Sequence, residues 1–180
     1  MLTIKIPKTE LYDESTSSFI YIKEQTITLE HSLVSVHKWE SKWCKPFLSS
    51  NDKTEEETLD YIRCMVITQN VDPMVLRAIP PDQFKRINDY IVAPMTATTF
   101  SNSDNSKGKK EIITSELIYY WMIALNIPVE FQKWHLNQLM TLIRVCSIKN
   151  APPKKMAKGE VINRNRALNA ARRKRLGTHG

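Results

Sequence analysis

Four histidines (His31, His37, His135 and His179), three cysteines (Cys44, Cys64 and Cys146) and a cationic run near the C-terminus are the obvious candidates for chemistry in this 180-residue chain. No His or Cys pair has zinc-finger spacing, and no His-Glu-x-x-His sequence occurs. His31 and His37 are six positions apart, off the i, i+4 spacing that sets two imidazoles on one helix face. A metal site would therefore have to be assembled from remote segments. Cys64 and Cys146 fall in apolar helical patterns, where a thiol behaves as a small hydrophobe. Cys44 is the better nucleophile candidate, because Lys45 could steady a thiolate, but no base stands nearby. There is no Gly-x-Ser-x-Gly elbow, and Glu55 to Glu57 read as an acidic helix start. Only four glycines occur, the first at Gly108, which excludes a Walker loop or dinucleotide fingerprint from the preceding residues. The expectation is a chain with no catalytic residue, metal or cofactor, and so not an enzyme.

Binding chemistry has two candidates. Trp39 and Trp43 lie one helical turn apart with Lys38, Lys42 and Lys45 interleaved, a pattern that could stack bases or contact a partner. The better reading of the same spacing is a pair of half-buried indoles anchoring an amphipathic helix to the neighbouring sheet. The second candidate is the set Arg164, Arg166, Arg172, Arg173, Lys174 and Arg175, which could neutralise phosphates. A solvated end and an arm for an acidic protein are equally good readings of that run.

The elements that must position these residues follow from periodicity. Leu2, Ile4 and Ile6 alternate with polar residues, and Phe19 to Ile22 and Thr26 to Leu29 are further β-prone runs, predicting a short antiparallel meander within residues 1–30. From Ser32 the apolar period becomes three to four, predicting a helix that Pro46 ends. Thr54 to Glu57 has capping-box form and opens a helix expected to run to about Asn70. Asp72-Pro73 and Pro81-Asp82 open two shorter helices, and Met95 to Phe100 is a weak strand candidate. Residues 101–108 read as a surface loop. Residues 115–126 are apolar nearly all round, so that helix is expected to be buried on several sides and paired with a helix over 130–147. The predicted class is mainly α (α+β), with a small N-terminal sheet and helices over 31–150.

Charge divides the chain at the Pro152-Pro153 break. Residues 1–150 carry 17 Lys and Arg against 18 Asp and Glu, whereas residues 151–180 carry nine against one. The expected organisation is a globular domain over 1–150 and a basic tail over 151–180, partly helical and ordered by a partner. The longest stretch without a charge, Leu117 to Val129, has 13 residues and includes Asn126 and Pro128. A membrane-spanning helix needs about 20 apolar residues, so no membrane association is expected. The start Met1-Leu-Thr-Ile-Lys has no signal-peptide pattern, and three scattered cysteines suit a reducing cytoplasm.

Four segments together carry a family likeness: His31 to Leu48 (HSLVSVHKWESKWCKPFL), Tyr61 to Asn70 (YIRCMVITQN), Ile112 to Asn126 (IITSELIYYWMIALN) and Asn163 to Arg175 (NRNRALNAARRKR). They resemble a protein family of long-tailed bacteriophages and prophages associated with tail assembly, including the tail assembly chaperones. The resemblance implies a protein that works without catalysis in the host cytoplasm. Its partner would be the tape measure protein or another tail protein, with self-association as a further expectation. A phage-encoded nucleic-acid-binding protein acting through the basic tail is the alternative, and a virion structural or connector protein the third.

Overall fold

The computed structural model describes residues 1–13, 17–49, 52–100, 111–152 and 158–177. The loop predicted over 101–108 lies outside them. The chain divides into two units, Met1–Ile148 and Lys149–Gly180.

The first unit begins with four strands: β1 (Leu2–Ile6), β2 (Thr9–Asp13), β3 (Ser18–Ile22) and β4 (Gln25–Leu29). They do not form the predicted meander. β1 pairs antiparallel with β4, Ile4 opposite Ile27, while β2 and β3, among the described residues, pair with each other as an inserted hairpin. Alternation explains the inward face: Ile4, Ile6, Ile27 and Leu29 are buried, as a period-two strand with one covered side requires.

Six α-helices follow among the described residues of this unit, of which α4 packs on β1: α1 (Leu33–Trp43), α2 (Glu55–Met65), α3 (Pro73–Arg77), α4 (Pro81–Val92), α5 (Ser115–Ala124) and α6 (Leu136–Asn150), the last running two residues past the unit's boundary. Local caps set their starts. Ser32 accepts the Ser35 N–H while the Ser35 hydroxyl accepts the Ser32 N–H, and Thr54 and Glu57 exchange the same pair at α2. Asp72 caps α3 through the Met74 N–H, with Pro73 in the first turn. Helix α1 stops at Cys44, left-handed at φ 53°, whose N–H returns to the Glu40 carbonyl two residues before Pro46.

Four expectations about length, existence and burial change. Helix α2 ends at Met65 rather than near Asn70, because its continuation pairs with the sheet edge: the Glu30 N–H donates to the Met65 carbonyl and the Ile67 N–H to the Thr28 carbonyl. The start of the helix expected over 130–147 is instead a 3-10 helix (Val129–Lys133), and α6 starts only after His135 bridges to Ser32. Residues 95–100 form no strand. Helix α5 packs chiefly on α1 through Ser115, Ile118 and Met122; Tyr120 is 62% and Ile123 76% exposed, so it is not buried on several sides. The chain is thus mainly α with a small N-terminal antiparallel strand component.

The second unit contains α7 (Lys158–Leu176), and every described side chain on it is exposed. Among the described residues no helix is long and apolar enough to cross a membrane.

Candidate functional site

The sequence left the histidines scattered, yet folding brings two together. His31 follows β4 and His135 precedes α6, and the Ser32–His135 bridge sets their rings edge to face with centroids 5.0 Å apart. Both are buried. The Tyr61 hydroxyl of α2 lies 2.5 Å from His31 Nδ1. His135 Nε2–H donates to the Tyr90 carbonyl at 3.0 Å, and Nδ1 accepts the Asn137 N–H at 3.3 Å, so its contacts define one neutral tautomer. Beside the pair, Glu30 accepts the Tyr90 hydroxyl at 2.6 Å and lies 2.9 Å from the Met1 amine.

This environment favours uncharged rings. Burial, reinforced by neighbouring His135, pushes His31 down to about 3, and burial also lowers His135. Burial raises the Tyr61 and Tyr90 hydroxyls above their ordinary range, Tyr90 also because it donates to Glu30. A neutral imidazole against a tyrosine that holds its proton is a packing and hydrogen-bonding unit. Among the described residues no group of three or more His, Cys, Asp or Glu side chains is placed to hold a metal.

A second polar group lies around α1. Glu40 accepts the Phe47 N–H with one carboxylate oxygen and the Ser115 N–H with the other, both at 2.7 Å, tying α1 to the following loop and to the first turn of α5. The acid also sits where the α5 dipole favours negative charge. Lys45 donates to Glu57, and this bond, with the Thr54 N–H, holds the Glu57 carboxyl below its usual range. Burial alone would raise Asp60, but donors from Lys42 at 2.6 Å and the Trp43 indole at 2.9 Å keep it low. Cys44 is exposed, yet the lysine that could have activated it is turned to Glu57. Burial raises the Cys64 thiol. Among the described residues no buried side-chain nitrogen or oxygen lacks a hydrogen-bond partner.

Trp39 is fully buried, donates to the Glu57 carbonyl at 2.8 Å and packs edge-on against Phe47, with the rings 5.2 Å apart. It is therefore not available to a partner in the folded chain, which corrects the surface reading of the i, i+4 pair. Trp43 is half-buried and held by Asp60, with Lys42 over its ring at 5.2 Å. The exposed binding candidates are elsewhere.

One is a groove of about 640 Å³ between α6 and the segment after α4, with Trp121 of α5 in its wall. Val92, Phe100, Met140 and Ile143 make its lining mostly apolar, and among the described residues Arg144 is the one charged residue in it, stacked 4.0 Å over the Phe100 ring. Asn137 binds the Ile91 and Ala93 carbonyls, fixing the α4 end to α6 and so one side of the groove. Sequence periodicity gave no sign of it, because the lining residues come from three separated segments. The other candidate is α7, where Arg164, Arg166, Arg172, Arg173, Lys174 and Arg175 are all exposed.

Compared with known proteins, the chain matches no family model, no curated protein and no solved structure.

Proposed function

We propose that this chain is a non-catalytic assembly protein of phage tail morphogenesis, a chaperone that binds the tape measure protein in the host cytoplasm. The observation that carries the reading is the open apolar groove beside α6, in a domain whose buried ionisable groups are engaged in its own hydrogen bonds. A groove of this kind suits the apolar stripe of a helical client, and Arg144 can meet a carboxylate on that stripe. Tyr120 and Ile123 add exposed apolar area on α5. The resemblance of the four sequence segments to phage tail assembly proteins supports the same role.

Co-expression tests it. The chain should keep the tape measure protein soluble and co-purify with it after nuclease treatment, and the complex should survive moderate salt because apolar contacts carry the binding. The double variant Met140→Glu, Arg144→Glu should remain folded and lose the client. A tape measure protein equally insoluble with and without this chain would sink the proposal.

A further inference from the structure

We infer that α7 is a DNA-binding arm that lies in the major groove of duplex DNA, an activity separate from the groove beside α6. Over Lys158–Leu176 the helix carries seven Lys and Arg against one Glu, and no described side chain on it is buried. The cations are not gathered on one face. At roughly 100° per residue, Arg164 and Arg175 fall within about 20° of each other, as do Arg166 and Arg173, and the two rows stand about 180° apart. An acidic protein surface would cover one row and leave the other in water. A duplex groove presents a phosphate backbone on both flanks, so phosphates can reach both rows at once.

Dimensions and composition agree with that occupant. A helix of about 10–12 Å diameter enters a B-form major groove about 12 Å wide, whereas the narrow major groove of duplex RNA does not admit it. Between the two rows runs a ridge of Val161, Asn165, Leu168, Asn169 and Arg172. These residue types suit base edges: Asn for adenine, Arg for guanine and apolar groups for the thymine methyl. The opposite ridge holds the small Ala167, Ala170 and Ala171 together with Glu160, Asn163 and Lys174, which stay on the side away from the bases. Mutual repulsion within Arg172 to Arg175 disfavours the helix by itself, and phosphates relieve it, so binding should increase helical order.

The test is fluorescence anisotropy of the full chain with a labelled duplex of about two turns. Expected is binding that falls about a hundredfold between 50 and 200 mM salt, the counterion release of about four neutralised phosphates. Arg164→Gln with Arg175→Gln, and separately Arg166→Gln with Arg173→Gln, should each weaken binding by at least about tenfold, the loss of two charge-assisted phosphate contacts. Both double variants should keep the wild-type melting temperature and still keep the tape measure protein soluble, which separates this inference from the chaperone reading. Three results would overturn it: no duplex binding at low salt, equal affinity for single strands, or displacement by polyglutamate as effective as by unlabelled duplex. So would dependence on one arginine row alone.

Discussion

The domain over Met1–Ile148 and the helix α7 treat charge in opposite ways. In the domain Glu30, Glu40, Glu57, His31 and His135 are buried, and each has hydrogen-bond partners supplied by the fold. In α7 the six cations from Arg164 to Arg175 are exposed, as is every other described side chain of the helix. Burying an ionisable group is costly unless its contacts are complete, so the domain's polar groups fix its geometry and leave its apolar groove as the open surface. The exposed cations of α7 impose little on the domain's stability and remain suited to an outside anion. The same chemistry is structural in one region and adhesive in the other.

The largest effect that would test this contrast comes from the core. Trp39→Ala removes a fully buried indole and its bond to the Glu57 carbonyl, and should destabilise the domain by about 3–5 kcal/mol in urea unfolding. A loss below about 0.5 kcal/mol, the range of ordinary surface changes, would put Trp39 on the surface after all.

Acid should act next. The native His31 is held at about 3, below the ordinary 6.5, so the unfolded chain takes up a proton that the folded chain refuses. Stability from this group is therefore full above pH 6.5 and declines as pH falls towards 3, by up to about 1.4 kcal/mol per pH unit and so by about 3 kcal/mol at pH 4.5. His135, also lowered by burial, adds in the same direction, since a proton on Nδ1 would face the Asn137 N–H. Urea midpoints measured from pH 7 to pH 4.5 should fall in the wild type and stay flatter in His31→Phe. The window separates the histidines from Glu57 and Asp60, whose lowered carboxyls give up their contribution only at more acidic pH. Parallel profiles for the two proteins would show that His31 is not the group responsible.

The smallest effect belongs to α7. Truncation after Asn150 should leave cooperative unfolding of the domain intact, with a change within about 0.5 kcal/mol, while removing the salt-sensitive DNA binding. Loss of the cooperative transition would make residues 151–180 part of the core and dissolve the contrast between the two regions.

Local chemistry made the helix starts legible. Ser32, Thr54 and Asp72 cap helices because their hydroxyls or carboxylates reach backbone N–H groups two or three residues ahead, and that distance is written in the chain. Alternation at Leu2, Ile4 and Ile6 likewise announced a half-buried strand, and the period change at Ser32 a mainly helical remainder. Helix ends were less readable. The turn after Met65 exists because Thr28 and Glu30, far back in sequence, take up the backbone groups that would have extended α2. Only tertiary structure could decide that β1 pairs with β4, that Trp39 points inward, that α5 leaves Tyr120 and Ile123 exposed, and that His31 meets His135. Each depends on which distant surface arrives alongside. A local pattern states that a face is apolar or a group can donate, but its partner is chosen by the packing of the whole chain.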